Sequence, residues 1–392
     1  MTRRTVILGY ARTPFGKLSG GLASMTAPQL GGHAIAAAIE RSGVAAEQVE
    51  HVIMGHVLQA GAGQITARQA AVAAGLGETV TAETINKVCA SALRAVSLAD
   101  ILIKNGDHDV IVAGGMESMT NAPHLAHVRA GIRMGDGALV DSMMHDGLFN
   151  PFRQVRMLTD GAEVAKELGI TRERQDAWSV RSHANAVAQR DFLAGEIAPV
   201  TIKGRKGDTV VEFDESVRPD TTMESLGRLK ELDVEGGGTT AGNAPGVNDG
   251  GTALVLASEE WALANGHTPL AYVRGHGYVA GRFQDLAKMP GSATRRVLER
   301  AGVDIADIAR FEFNEAFANV AINAVDELCI DEDKVNVNGG AVALGHPIGA
   351  SGARIVGTLM RELARSGGGL GVAGICSGGG QGDAILIEVP AS

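Results

Sequence analysis

Apolar and polar residues along this chain follow two alternating patterns, one helical and one typical of buried strands. From Ala90 to Lys104 the apolar positions recur with helical spacing, and Asp109 to Gly114 form a short apolar run. The same order returns near the C-terminus, where Ser351 to Arg365 precede Gly371 to Ile375. These periods predict a helix followed by a buried strand in each region. Such alternation favours an α/β fold whose parallel or mixed sheet is covered by helices on both faces.

The two regions belong to a longer internal repeat. Ile39 to Val44 (IERSGV) match Leu298 to Val303 (LERAGV). Each copy continues into an acid-containing turn and an apolar strand, His51 to Met54 in the first and Phe311 to Phe313 in the second. The order is kept at a nearly constant offset of about 260 residues, which chance rarely produces. We therefore expect two related halves.

A central stretch has no counterpart in the repeat. It contains a charged helical pattern from Thr171 to Gln189 and a polar segment from Gly204 to Asp220. We predict an N-terminal half over 1–118, an inserted loop domain over 119–249 between the halves, and a C-terminal half over 250–392. Insertions above a sheet commonly complete a substrate site.

Composition and charge exclude several classes of function. The 392 residues carry 45 acidic and 35 basic side chains, a net charge of −10, which argues against non-specific nucleic-acid binding. Three cysteines are too few for a disulfide framework and indicate a reducing compartment, so we expect a cytoplasmic protein. We predict neither a zinc site nor a targeting peptide, and no apolar run is long enough to span a bilayer.

Two cysteines and one histidine lie at turns rich in small residues. Cys89 precedes the predicted helix over 90–104, His346 lies in Gly345 to Gly349 (GHPIG), and Cys376 precedes Ser377-Gly378-Gly379-Gly380. A lone cysteine is more often a small core residue, and a glycine turn can carry an incidental thiol. Alternatively, Cys89 is a nucleophile whose thiolate the helix dipole favours, and His346 is its base. The glycines after Cys376 would let a substrate approach backbone N–H groups that stabilise an oxyanion.

Asn314 follows the predicted strand Phe311 to Phe313, and Cys329 follows a helical pattern over 319–328. The polar residues at the strand end either cap the next helix or project an amide into a site at the carboxyl end of the sheet. Cys329 has no glycine-rich setting, so we interpret it as structural.

Longer motifs around these residues resemble the thiolase family, and most of all its acetyl-CoA acetyltransferase branch. The segments that carry the resemblance span the whole chain: Tyr10 to Gly16, Asn86 to Arg94, Gly114 to Met119, Thr240 to Asn243, Asn314 to Ala318, Asn336 to Gly352 and Cys376 to Gly382. The resemblance implies a duplicated thiolase-like α/β fold: two mixed five-stranded sheets covered by helices in αβαβα layers, with an inserted loop domain. It also implies a homotetramer, or a dimer, with Pro123 to Asp136 as the tetramer-forming loop.

The resemblance also implies roles for individual residues. Cys89 would become the acetyl-thioester, His346 would take its proton, and Cys376 would remove an α-proton from the second acetyl-CoA. Asn314, through a bound water, would act with His346 on one thioester oxygen. The backbone N–H groups of Cys89 and Gly378 would form the other oxyanion hole. Coenzyme A would contact Leu148, Met157, Arg218, Ser225, Ala241, Ala244 and Phe317.

Three positions depart from the family pattern. Arg156 stands where a histidine near the pantetheine is frequent, and Pro245 replaces a serine. Leu286 to Ser292 lack the usual acyl-pocket loop. These departures concern the preferred acyl-chain length rather than the chemistry.

The implied activity is reversible Claisen condensation of two acetyl-CoA to acetoacetyl-CoA and CoA. It needs no cofactor or metal beyond coenzyme A as substrate and product, and no nucleic-acid or membrane partner. A broader 3-ketoacyl-CoA thiolase of fatty-acid β-oxidation is the close alternative, and a decarboxylating ketosynthase a remoter one. A non-catalytic acyl-CoA or lipid-binding protein on the same fold would be expected to lack a catalytic side chain, whereas Cys89, Asn314, His346 and Cys376 are all present.

Overall fold

The first part of the chain folds into strands and helices in the predicted order. A computed structural model describes residues 3–132 and 134–391. The elements are β1 (Thr5–Arg12), β2 (Gly16–Lys17), α1 (Ala27–Ser42), β3 (His51–Gly55), α2 (Thr66–Ala73), β4 (Thr81–Ile85), α3 (Ser91–Asn105) and β5 (Val110–Ser118). Helix α1 begins at a capping box of Thr26 and Gln29 and ends at Gly43, whose φ of +69° suits glycine.

The inserted region is mostly helical, with short hairpins between the helices. It comprises β6 (His124–Leu125), β7 (Val140–Asp141), β8 (Phe149–Asn150), β9 (Val155–Arg156), α4 (Met157–Glu167), α5 (Arg172–Ala188), α6 (Arg190–Ala194), β10 (Val200–Ile202), β11 (Thr209–Val211) and α7 (Met223–Gly227). A single π-helical turn spans Met143–Leu148. Helix α5 lies within the predicted stretch 171–189, and Thr171 caps its N-terminus.

The remaining elements complete both halves. They are β12 (Asn248–Ser258), α8 (Glu259–Ala264), β13 (Ala271–Ala280), α9 (Met289–Ala301), β14 (Ile308–Phe313), α10 (Ala318–Leu328), α11 (Ala341–Leu344), α12 (Ser351–Arg365), β15 (Gly369–Ser377) and β16 (Gln381–Val389). Short 3-10 turns cover Ala46–Gln48, Asp285–Lys288, Ile305–Asp307 and Glu332–Lys334. The turns that follow α1 and α9 are equivalent, as the repeat predicts.

The strands form one large mixed sheet with two equivalent parts. The strand order is β14-β15-β16-β13-β1-β12-β5-β3-β4, and the parts join where Thr5–Ile7 pair with Ala271–Val273. Strands β4, β3 and β5 run parallel, as do β14 and β15. In the first part, β4 is the edge strand. At the corresponding edge of the second part, next to β14, the chain forms only a bridge between Phe311 and Val335.

Helices cover the sheet in layers. Helices α3 and α12 pack on each other and on strands of both halves, whereas α1 and α2 pack on strands of the first half and α9 on strands of the second. Alanine, valine and isoleucine side chains fill the interior around α3 and α12. The two predicted sheets are therefore joined through β1 and β13 into one continuous sheet, and the predicted αβαβα layering is kept because α3 and α12 contact the strands of both parts.

One predicted boundary needs correction. We placed the division between the loop domain and the C-terminal half at residues 249/250, which lies inside β12 (Asn248–Ser258). This strand pairs with β1 and β5 and therefore belongs to the first half. Strands β5 and β12 of the first half correspond to β15 and β16 of the second, which are joined by the tight turn Gly378 to Gly380. The inserted region therefore lies within the first half, between β5 and β12. A local sequence pattern predicts a strand but not the strands with which it pairs.

Candidate active site

Cys89 lies in a tight turn that leads into α3. Val88 has a φ of +45°, and Cys89 itself is 4 % exposed. Burial raises the pKa of the Cys89 thiol to about 12, and the nearby Glu117 carboxyl contributes in the same direction. We expected the dipole of α3 to favour the thiolate, but burial outweighs it, so the resting group is a thiol. A base must therefore accept its proton when it reacts.

His346 lies in the loop that precedes α12 and is held from both sides. Its backbone N–H donates to Asn248 Oδ1 at 2.9 Å, and its Nδ1 lies 2.6 Å from Ser351 Oγ. Asn314 Nδ2 lies 3.4 Å from His346 Nε2. Burial, with the positive charge of Arg354, lowers the pKa of His346 to about 3. The imidazole is therefore neutral at physiological pH and free to accept a proton.

Asn314 follows the last residue of β14, as the sequence predicted, and is fully buried. Its backbone N–H donates to Gly374 O at 2.9 Å, which fixes it beside β15. Its side-chain Oδ1 is buried without a hydrogen-bond partner among the residues that the structure describes. A buried amide oxygen of this kind is suited to a ligand or a bound water.

Cys376 is the last but one residue of β15 and is fully buried. Burial raises its pKa well above the usual range, and the proximity of Cys89 raises it further. The turn after Cys376 adjoins the Cys89 turn, since a Cβ built on Gly378 would lie 3.1 Å from Val88 Cγ2. The two thiols, which are far apart in sequence, are thus neighbours.

A largely apolar cavity of about 240 Å³ opens onto Cys89 and His346, whereas Asn314 and Cys376 lie outside its lining. Cys89 and His346 line it, together with Leu148, Met157, Ala244, Phe317, Met119, Met144, Arg156, Leu158, Pro245, Gly246, Val247, Ala316 and Ile348. Cys376 belongs to the same hydrophobic cluster as Met157 and Ala316, two residues of this lining. Arg156 is the charged residue of the lining, and its guanidinium is paired with Asp233.

The predicted coenzyme A contacts divide into three groups. Leu148, Met157, Ala244 and Phe317 line the cavity of Cys89. Arg218 and Ala241 line an adjacent cavity of about 520 Å³, which shares Ala244, Gly246 and Val247 with the first. Ser225 lines neither of these two cavities, and its hydroxyl closes a capping box with Thr222 at the start of α7.

Three polar residues that support the site were missed by sequence reasoning. Ser351 bonds the His346 ring, and Asn248 bonds its backbone. Glu117 is fully buried and accepts the N–H groups of Val57, Leu58 and Gly349. Ser351 has a sequence signal, since it opens a helix five residues after His346. Asn248 and Glu117 bond loops that are remote from them in sequence, so no local pattern indicated their supporting role.

The remaining predicted residues and surfaces are placed as follows. Cys329 is exposed and ends α10. Pro123 to Asp136 continue from β5 into an exposed loop closed by the β6–β7 pair, and Arg133 lies outside the described residues. Over 3–132 and 134–391, no group of His, Cys, Asp and Glu side chains is suited to hold a metal ion. Over the same ranges, no helix is long and apolar enough to cross a membrane.

Comparison with known proteins agrees with this geometry. The model of the thiolase N-terminal domain matches residues 5–260, and that of the thiolase C-terminal domain matches residues 267–389. Acetyl-CoA acetyltransferase of Shinella zoogloeoides is 45% identical over 390 residues, covering 99% of this chain and 100% of the relative. The enzyme of the same name from Cupriavidus necator is 47% identical over 387 residues and 98% of both chains. The crystal structure of Bacillus anthracis acetyl-CoA acetyltransferase superposes with a TM-score of 0.96 at 38% identity, covering 99% of each chain.

Proposed function

The chain belongs to the thiolase family of acyltransferases, and we propose that it is an acetyl-CoA C-acetyltransferase that condenses two acetyl-CoA into acetoacetyl-CoA and CoA. The observation that carries this proposal is the cavity that Cys89 and His346 share, with the Cys376 turn adjoining the Cys89 turn. Two thiols and a neutral imidazole around an apolar cavity suit thioester chemistry, because each half of the exchange needs its own nucleophile or base.

In the first half-reaction Cys89 becomes acetylated. His346 Nε2 accepts the Cys89 proton, the sulfur attacks the thioester carbonyl, and the bond to the coenzyme A sulfur breaks. The departing thiolate takes the proton back from His346 and leaves as CoA. The pKa near 3 keeps His346 deprotonated at neutral pH, and it makes the transient imidazolium a strong acid that returns the proton readily to the departing thiolate.

In the second half-reaction a carbon–carbon bond forms. Cys376 passes its proton to His346 and, as a thiolate, removes the α-proton of the second acetyl-CoA. The imidazolium and Asn314, through a bound water, stabilise the enolate oxygen while the carbanion attacks acetyl-Cys89. The N–H groups of Cys89 and Gly378 stabilise the oxyanion of the tetrahedral intermediate that forms on acetyl-Cys89. When this intermediate collapses, the bond between its carbon and the Cys89 sulfur breaks, and the Cys89 thiolate regains its proton from His346. Ping-pong kinetics follow from the covalent intermediate.

Coenzyme A extends from this cavity into the adjacent one. In our proposal the pantetheine lies along Leu148, Met157, Ala244 and Phe317, and the adenine end lies near Arg218 and Ala241. Supporting this, the two cavities share a wall formed by Ala244, Gly246 and Val247.

Thiolysis of a series of 3-ketoacyl-CoA substrates tests the proposed chain length. An acetyl-CoA C-acetyltransferase should be most active with acetoacetyl-CoA, and its activity should fall as the chain lengthens. Equal activity out to long chains would instead favour a broad 3-ketoacyl-CoA thiolase. Retention of full turnover in Cys89→Ser would contradict the covalent mechanism.

The proposal extends to the oligomeric state of the protein and to its cellular compartment. We propose a homotetramer built through Pro123 to Asp136, where Met134 is 95 % exposed and Ile132 is 53 % exposed. Exposed apolar side chains of this kind are typical of a protein–protein contact. Free thiols at the site suit a reducing cytoplasm. Light scattering of the wild type and of a variant lacking residues 124–141 tests the assembly, since only the wild type should be tetrameric.

A further inference from the structure

The turns that carry the two cysteines are fastened to each other across the two halves of the fold. Lys87, two residues before Cys89, places its Nζ 2.5 Å from Asp383 Oδ1. Ser377, directly after Cys376, donates from its Oγ to the Lys87 carbonyl oxygen at 2.5 Å. Asp383 lies in β16 next to Gly382, the register partner of Cys376. We call Lys87, Ser377 and Asp383 the inter-half clamp.

The clamp is largely desolvated. The Asp383 side chain is 3 % exposed and that of Lys87 is 20 % exposed. Hydrogen-bonded charges withdrawn from water are harder to separate than surface pairs, because either group alone would be left buried and uncompensated. The Lys87 ammonium also lies 5.5 Å from the Tyr278 ring centroid, which limits its freedom further.

The clamp continues directly into the Cys89 turn. The Lys87 N–H donates to Ser91 Oγ at 2.8 Å, and the Ser91 hydroxyl donates to Val88 O at 2.6 Å. Val88 holds a positive φ within this turn. The position of Lys87 relative to Asp383 therefore fixes where the turn presents Cys89.

Lys87 could instead act by lowering the pKa of Cys89 directly. The structure favours the positional role, because the ammonium is paired with Asp383 on the opposite strand. The pKa of Cys89 stays high through burial and Glu117. A cation that activated the thiol would be expected to lower that pKa.

We propose that the inter-half clamp sets the separation between Cys89 and Cys376, and that carbon–carbon bond formation depends on it far more than acetylation of Cys89 does. The inference rests on the proposed function. Acetylation uses Cys89 and His346, whereas the second half-reaction requires the thioester on Cys89 and the base on Cys376 to meet one α-carbon. A misplacement of about 1 Å in such a geometry can lower the rate about a hundredfold.

Two assays on the same preparations separate the half-reactions. Exchange of labelled CoA into acetyl-CoA reports acetylation of Cys89 alone, and acetoacetyl-CoA formation reports both steps. For Lys87→Met and Asp383→Asn we expect condensation to fall about 10- to 100-fold with unchanged KM, and exchange to stay within about threefold. Lys87→Arg should recover most of the condensation rate. Ser377→Ala removes the clamp's hydroxyl without unpairing a charge, so it tests the proposal if Asp383→Asn does not fold.

Arg274→Met is the matched control. Arg274 pairs with Glu388 at 2.5 Å across β13 and β16, away from both cysteines, and both rates should be unchanged. Equal losses of exchange and condensation in the clamp variants, or no loss of either, would overturn the clamp proposal. Absence of both activities in the wild type would instead refute the proposed function.

Discussion

Ser351 is predicted to hold His346 in the tautomer that can act as a base. Ser351 Oγ lies 3.0 Å from the Pro347 carbonyl oxygen and 2.6 Å from His346 Nδ1. An amide nitrogen only donates, so His346 Nε2 accepts from Asn314 Nδ2 and the ring proton lies on Nδ1, where the Ser351 hydroxyl accepts it while donating its own proton to Pro347 O. The proton is thereby placed on Nδ1, and Nε2 is left as the acceptor beside Asn314 Nδ2.

The substitution Ser351→Ala removes this acceptor from a fully buried position. A buried N–H without a partner costs about 1–3 kcal/mol, and the imidazole avoids that cost by moving its proton to Nε2. The reactive tautomer then lies higher in free energy by a similar amount. Each 1.36 kcal/mol corresponds to about tenfold in rate, so kcat should fall about 10- to 100-fold with KM nearly unchanged.

The assay is steady-state thiolysis of acetoacetyl-CoA by the wild type, Ser351→Ala and Ser97→Ala. Ser97 is 3 % exposed, and its Oγ donates to Leu93 O at 3.1 Å, so it makes the same bond to a preceding carbonyl without a histidine. Ser97→Ala should retain wild-type kcat. The tautomer argument fails if Ser351→Ala stays within about twofold of the wild type, or if Ser97→Ala loses as much.

Two further predictions concern stability. Burial and the charge of Arg218 lower the pKa of His183 to about 4, below the 6.5 expected in the unfolded chain. The neutral His183 side chain therefore contributes stability above pH 6.5, and this contribution is lost as the pH falls toward 4. The free energy of unfolding of His183→Asn relative to the wild type should therefore be about 2 kcal/mol higher at pH 5 than at pH 7.5 in urea titrations, and a pH-independent difference would contradict this cause. Cys329 ends α10 with a φ of +53°, a conformation that costs an L-residue about 1–2 kcal/mol. Cys329→Gly should therefore raise the free energy of unfolding by up to about 1 kcal/mol without changing kcat, and a destabilised variant would show that the strain is absent.

The local elements of the fold are predictable because their signals lie within a few residues. The spacing over 90–104 predicted α3 to within one residue at each end, and the pattern over 351–365 predicted both ends of α12. The glycine of the IERSG and LERAG segments, Gly43 or Gly302, ends α1 and α9 in the same left-handed conformation. Equivalent sequence therefore gave equivalent turns.

The pairing of distant elements was not predictable from one sequence. The boundary at 249/250 divided β12, whose partners β1 and β5 are remote along the chain. The Lys87–Asp383 pair joins residues separated by 296 positions. Nothing in the local sequence of either residue distinguishes it from a surface charge, since only the folded sheet brings them together.

The turns that carry the site residues could be predicted from the sequence, but the residues that hold those turns in place could not. Cys89, His346 and Cys376 stand in short segments with a recognisable composition, and the structure brings their turns together. Ser225, assigned to coenzyme A by resemblance alone, is engaged in a helix cap. The contact of Ser225 with coenzyme A stays a prediction, since capping and ligand binding use the same hydroxyl chemistry.

Mass spectrometry of the enzyme quenched in acid after brief exposure to acetyl-CoA tests the central claim most directly. We predict one acetyl group on the peptide that contains Cys89. The adduct should be absent from Cys89→Ala, and it should accumulate in Cys376→Ala, where the second half-reaction is blocked. An acetyl group on Cys376, or turnover without any covalent acetyl-enzyme, would contradict the assignment.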